Sequence, residues 1–251
     1  MSYKMEDVVC VDINADVGEG VGNELDLMPF LSSCNIACGG HAGDFVSMKT
    51  VVRLAKKNNV KIGAHPSFPD KLNFGREIMN LTDVDLYASL KHQIGTLQSV
   101  LHNESVFLNH IKPHGALYNL AAKDEKTARV VIEVVKSLSS PIKLYAPFNS
   151  VVANIAKQEA VEVVFEAFAD RNYNDDLSLV SRKNKDAILH EKEAVLSHVL
   201  TMVKQQKVTS ISGVDVPIKA TTICVHGDTD NALEILKYLS GNLKKNNIQI
   251  Q

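Results

Sequence analysis

The chain has 251 residues, 45% of them hydrophobic and 22% charged, with a formal net charge of -2. That length suits one α/β barrel or two small domains, and the near-neutral balance gives no bulk electrostatic reason to bind nucleic acid or an anionic membrane surface. No segment approaches the ~20 consecutive apolar residues of a transmembrane helix, and the apolar run that starts at Val8 soon meets Asp12, so no signal-type stretch is expected. The four cysteines, Cys10, Cys34, Cys38 and Cys224, each lie in or beside an apolar run. They read as packing residues without disulfides, in a cytoplasmic protein.

Strand-like and helical stretches alternate along the chain. Residues 8–14 form the first predicted strand and 34–38 the second. Asp44 then stands where it can cap a helix carrying Val46, Val51, Leu54 and Ala55. A third strand over 60–64 is followed by Thr82 and Asp85, which resemble a capping box for a helix with Leu86, Leu90, Ile94, Leu97 and Leu101. Strands over 106–112, 142–146, 162–168 and 221–226 alternate with helices over 124–138, 150–159, 186–205 and 230–243. The strands are short and rich in β-branched residues, as buried parallel strands are. Seven strands with intervening helices and no linker-like break predict one α/β domain over residues 1–251. A closed seven-stranded (β/α) TIM-like barrel is the first choice and an open doubly wound sheet the alternative. No G-x-G-x-x-G follows the first strand and no G-x-x-x-x-G-K-[ST] occurs, which disfavours a Rossmann or P-loop nucleotide site.

Polar residues gather where strands end. Asp12, Asn14 and Asp16 share one face of an extended segment, because side chains alternate along a strand. Later strand ends bring Asn35 and His41, then His65, then His110, Lys112 and His114, then Glu166 and Arg171, then His226 and Asp228. Five of the nine histidines lie at such ends, and in βα-barrels the loops after the strands build the active-site face. Alternation predicts that Asp12, Asn14, His65, His110, Lys112, Glu166 and His226 point into one mouth, where close neighbours tune protonation for acid–base chemistry. Lys112 is either an ion-pair partner of Asp12 or Glu166, or a cation facing an oxyanion or phosphoryl group. Gly39, Gly40 and Gly43 permit close backbone approach ahead of a helix whose N-terminus favours an anion; a plain tight turn is the alternative. No H-E-x-x-H or paired C-x-x-C fixes a metal, so no metal ligands are assigned, although His and Asp at a barrel mouth leave a divalent ion open.

Together these motifs resemble the LamB/YcsF family. The matching stretches are residues 12–19 (DINADVGE), 35–44 (NIACGGHAGD), 62–70 (IGAHPSFPD), 73–76 (NFGR), 110–119 (HIKPHGALYN), 165–173 (FEAFADRNY) and 225–228 (VHGD). Gly40, Asn172, Leu177 and Ser181 depart from the family's usual pattern in loops. The resemblance implies a barrel of the glycoside hydrolase/deacetylase group. It also implies the A subunit of a 5-oxoprolinase, which uses ATP (with Mg²⁺) to hydrolyse 5-oxo-L-proline to L-glutamate alongside B and C subunits. On that reading Asp12, Asp16, His65, Lys112, His114 and His226 are the expected catalytic set. Asn14, Asn35, His41, His110, Glu166, Arg171 and Asp228 are the expected substrate-binding set. Lys112 and Arg171 would neutralise phosphate or carboxylate, Asp16, His65 or His114 would activate water, and His226 and Asp228 would complete the acid–base group. The competing expectations are a non-catalytic lactam-binding subunit, or a metal-dependent deacetylase or amidohydrolase.

Overall fold

A computed structural model describes residues 9–229 and 231–251. Val8 and Asp230, where the sequence predicts the first strand and the last helix to begin, lie outside them. In chain order the strands are β1 (Val9–Val17), β2 (Ser33–Ala37), β3 (Lys61–His65), β4 (His110–Ile111), β5 (Lys143–Pro147) and β6 (Val163–Phe168). They are followed by β7 (Lys207–Thr209), β8 (Asp215–Pro217), β9 (Thr222–Cys224) and β10 (Ile248–Ile250). β1 to β6 pair in sequence, all parallel; β6 pairs with β9 and β9 returns to β1. That last pairing, with Asp12 opposite Thr222 and Asn14 opposite Cys224, closes a seven-stranded barrel and overturns the open-sheet alternative. β7 and β8 form a separate antiparallel hairpin, and β10 pairs with Val9, Cys10 and Val11 at the start of β1.

Helices α1 (Glu24–Leu27), α2 (Phe45–Lys57), α3 (Asp83–Asn103), α4 (Gly115–Ala121), α5 (Glu125–Lys136), α6 (Val151–Gln158), α7 (Lys192–Lys204) and α8 (Ala232–Lys245) occupy the connections. Their apolar stripes have a clear physical origin. In α5, Val130, Val131, Val134 and Val135 recur at helical spacing and are buried. Each such side chain contributes roughly 1.5–3 kcal/mol by leaving water. The outward side chains of β1, Ile13, Ala15 and Val17, join the same apolar layer. Its inward residue Asn14 is fully buried among polar neighbours. Cys34, Cys38 and Cys224 are buried thiols, as their apolar flanks predict. No helix among the described residues is long and apolar enough to cross a membrane.

Several predicted ends shift for identifiable reasons. β4 is two residues long rather than seven, because the Val106 amide bonds back to Leu101 at the end of α3 and Phe107 is exposed. α7 starts at Lys192 rather than 186, because residues 187–189 are held extended by bonds from Asn172 N–H to Ala187 and from Leu189 N–H to Asp170. The Asp44 cap is present in full: its carboxylate accepts from Ser47 N–H, and the Ser47 hydroxyl accepts from Asp44 N–H. That carboxylate already occupies the anion position at the start of α2, so the anion expected there is the chain's own. Just before it, Gly43 has φ +85°, and a Cβ there would stand 2.3 Å from the Ala37 carbonyl, so only glycine fits this turn.

Candidate active site

The inward residues of the barrel stack in layers. At the lower end, Asp12 accepts from Ser33 Oγ (2.7 Å) and Thr222 Oγ1 (2.6 Å), with Lys61 3.8 Å away. Above it lies an amide network. Asn14 Nδ2 donates to Glu166 Oε1 (3.0 Å) and Thr222 Oγ1 (2.8 Å), while Asn35 Nδ2 donates to Asn14 Oδ1 and to Asp16 Oδ1 (both 2.8 Å). His110 Nε2 meets Asn35 Oδ1 at 2.7 Å, and its ring stacks on Tyr145. Gly63 on the neighbouring strand makes room for that ring, since a Cβ there would lie 2.1 Å from His110 Nε2.

Lys112 crowns this floor. It is 2% exposed, and its ammonium lies 3.0 Å from Asp16 Oδ1, 2.9 Å from Glu166 Oε1 and 3.1 Å from Cys224 Sγ. Burial alone would lower its pKa, but Asp16, Cys224 and Glu166 more than offset that and hold it well above the ordinary lysine value. Burial likewise works to raise the Asp16 carboxyl, yet His65 and Lys112 beside it hold it well below the usual range. A fixed ammonium and a fixed carboxylate therefore face each other at the base of the mouth.

Around them opens a cavity of about 360 Å³ at the C-terminal ends of the strands. Asp16, His65, Lys112, His114, Arg171, His226 and Asp228 line it, so seven of the predicted residues meet there. Five others lie beneath it: Asp12, Asn14, Asn35 and His110 belong to the layers below, and Glu166 sits in the floor and faces an adjoining cavity. Asp12 thus lies below the cavity, and Asn14, Asn35 and His110 belong to the floor, while Glu166 lies between the floor and the adjoining cavity. Burial raises the Asp12 carboxyl, as for a group away from the cations of the mouth. His41 also stands back from the cavity. It bonds Glu19 Oε1 through Nε2 (2.8 Å) and stacks on His114 with ring centroids 3.6 Å apart.

Roles at the rim differ from expectation. Arg171 donates to the carbonyls of Val180 (2.6 Å) and Ala187 (3.3 Å), so its guanidinium staples the β6–α7 loop instead of standing free for an anion. Asp228 pairs with Arg76 (2.9 Å) and Arg182 (3.5 Å) at the rim. His226 is oriented by Asp170, whose carboxylate accepts from Nδ1 at 2.8 Å and from the His226 N–H at 3.2 Å. Burial opposes ionisation of Asp170, but His226 and Thr229 hold its pKa down to about 2. Glu19, Arg76, Asp170 and Arg182 were not in the expected set. The first three stood inside the quoted motifs, and Arg182 closes the stretch 176–182 (DLSLVSR), in which Leu177 and Ser181 depart from the family's usual pattern.

The pattern that describes the LamB/YcsF family matches residues 11–251. The chain belongs to the LamB/YcsF family. Among similar proteins, the A subunit of a 5-oxoprolinase from Haemophilus influenzae (strain PittEE) is 44% identical over 240 residues, covering 96% of this chain and 98% of that one. The corresponding 5-oxoprolinase A subunit of Pyrococcus abyssi (strain GE5 / Orsay) is 42% identical over 245 residues, covering 96% of each. The crystal structure of a lactam utilization protein from Thermus thermophilus superposes with a TM-score of 0.91 at 35% identity, over 97% of this chain and 99% of that one. A GH18 chitinase from Pseudoalteromonas aurantia shares the barrel alone, with a TM-score of 0.54 at 12% identity, over 92% of this chain and 100% of that one.

Proposed function

We propose that the chain is the A subunit of an ATP-dependent 5-oxoprolinase. It opens 5-oxo-L-proline to L-glutamate, with ADP and phosphate as the other products, together with B and C subunits in the cytoplasm. The observation that carries this reading is the buried Lys112–Asp16 pair at the base of a mouth whose relatives are named as A subunits of 5-oxoprolinase.

A five-membered lactam is a stable amide, and water is a weak nucleophile. Phosphorylation of the amide oxygen makes the ring carbonyl carbon electrophilic and provides a leaving group, which gives ATP its role. The charges in this mouth suit that chemistry. The Lys112 ammonium faces the position where an oxyanion develops, a term that commonly lowers a barrier by several kcal/mol. His226, steered by Asp170, carries a proton between water and the departing ring nitrogen. Arg76 and Arg182 stand at the rim to receive a carboxylate or phosphate, as bidentate guanidinium groups do. Those same arginines, with Lys112 and Lys183, form the cationic lining that fits a triphosphate. Mg²⁺ would arrive with the nucleotide.

The test is glutamate release from 5-oxoproline, measured with the chain alone and with its B and C partners, with and without ATP. Release that needs ATP and all three subunits supports the reading. The imidazole and carboxylate cluster beside Lys112 favours one second reading, a metal-dependent amidohydrolase on the same barrel. Glutamate formed by the metal-loaded chain without ATP selects that alternative.

A further inference from the structure

Four side chains from four successive strand ends converge beside the cavity: Glu19 after β1, His65 at the end of β3 and His114 after β4 line it, and His41 after β2 stands just behind them. Each offers one ligand atom, and these atoms all lie within 4.8 Å of one another. Glu19 Oε1 is 2.8 Å from His41 Nε2, 3.3 Å from His114 Nδ1 and 3.8 Å from His65 Nε2.

The outer hydrogen bonds of two of these rings fix their tautomers. His65 Nδ1 lies 2.7 Å from the Lys112 carbonyl, and His114 Nε2 lies 3.0 Å from the Phe74 carbonyl. A carbonyl oxygen only accepts, so both nitrogens carry hydrogen. In neutral rings the remaining nitrogens, His65 Nε2 and His114 Nδ1, are then both lone pairs, yet they stand 2.9 Å apart. A proton or a metal ion between them relieves that clash. A proton on His65 Nε2 joins that one pair and also faces Asp16 Oδ2 at 3.3 Å, whereas an ion draws in the Glu19 carboxylate, 3.3 Å from His114 Nδ1, as well. A single divalent ion gives all four donors one common partner, with the widest pair, up to 4.8 Å apart, drawing together as it binds. Donors around a tetrahedral ion with bonds of about 2.05 Å are about 3.3 Å apart, inside the 2.8–3.8 Å spread of the Glu19 contacts. Backbone carbonyls on the far ring nitrogens are also the usual outer partners of metal-bound histidines.

We propose that Glu19, His41, His65 and His114 hold one divalent transition-metal ion of the zinc class. Three imidazoles and one carboxylate suit Zn²⁺ and its first-row neighbours better than Mg²⁺ or Ca²⁺, which prefer all-oxygen sites. The inference does not rest on the lactam reading, and it is measured without turnover, so either can fail alone.

The experiment strips the full chain with chelator and titrates it with Zn²⁺ by calorimetry and with Co²⁺ by visible absorption. The expected result is one equivalent per chain, with the strong visible bands of four-coordinate Co²⁺ and no thiolate charge-transfer band. His41→Ala and the near-isosteric Glu19→Gln each weaken binding by more than about 10-fold, the loss typical of removing even an outer partner. Replacement of the exposed His190 by Ala leaves it unchanged. Circular dichroism melts check that the variants fold, and the wild-type titration stands whether or not they do. Absence of saturable one-to-one binding in the folded wild-type chain overturns the proposal. Binding that both site variants leave untouched, or a thiolate signature in the Co²⁺ spectrum, overturns it equally.

Discussion

Lys112 is the residue on which the site turns. Its ammonium sits between Asp16 and Glu166 with almost no contact with water. Removing one partner of a buried charge cluster costs about 3–5 kcal/mol, because the remaining charges stay buried and uncompensated. Lys112→Ala is therefore expected to lower stability by that amount in urea unfolding and to abolish turnover in the assembled enzyme. The two aspartates of β1 give a sharper contrast. Asp16→Asn is expected to slow turnover by more than about 100-fold, the usual scale for losing a group that acts on the reacting atoms. Asp12→Asn should stay within about tenfold of wild type, equivalent to ~1.4 kcal/mol of barrier, because Asp12 is spent on Ser33 and Thr222 below the cavity. Equal losses from both would overturn the division of the barrel into floor and mouth. Alternation along β1 made both residues legible as inward-facing, but it carries no information on depth. Depth depends on strand register, and register is set by pairings such as Asp12 with Thr222, 210 residues away in sequence. Rim roles were obscure for a related reason. Whether Arg171 meets a ligand or the Val180 carbonyl is decided by the path of a loop, which periodicity does not describe.

At the scale of elements, the repeating βα units were readable because the strands are short apolar runs and several helices, α2, α3, α5 and α6 among them, carry their own side-chain cap and apolar stripe. α6 illustrates this: Ser150 accepts from Ala153 N–H and donates to the Pro147 carbonyl. Ser150→Ala should cost about 1 kcal/mol in thermal or urea unfolding, as loss of an N-cap typically does. What was missed lacks such signals. β10 is three residues long and β7–β8 is a small hairpin, each too short for a pattern of period two to stand out. Close contact between strands is equally silent in sequence. Gly63→Ala would drive a methyl into the His110 ring, and overpacking of this kind costs typically about 1–3 kcal/mol. A crystal structure of that variant should show His110 displaced from Asn35. An unmoved ring with unchanged stability would show that the floor is looser than its hydrogen bonds imply.

For the whole molecule, closure of the barrel gathers titratable groups whose ionisation is linked to stability. Asp170 is the clearest reporter, fully buried, with its folded pKa near 2 against an ordinary 3.8. A folded pKa below the unfolded one means that the unfolded chain takes up the proton first. The stabilisation from this carboxylate is present above about pH 4 and is lost as pH falls toward 2, a difference of about 2 kcal/mol. Urea unfolding across that range should show a steeper loss for wild type than for Asp170→Asn. Parallel curves would remove Asp170 from the account. The same variant should also slow turnover, through a misdirected His226 ring rather than a lost charge in the mouth.

The seam between β1 and β9 also has a consequence for biosynthesis. β1, the earliest barrel strand in chain order, finds one of its flanking neighbours only when residues 222–224 have been made, and its β10 partner only with residues 248–250. Until then one margin of the nascent sheet carries unpaired amides and carbonyls, the kind of edge that recruits other chains. Long-range closure of this sort is also slow. Yield in the cell should therefore respond to translation speed and chaperone supply more than equilibrium stability alone suggests.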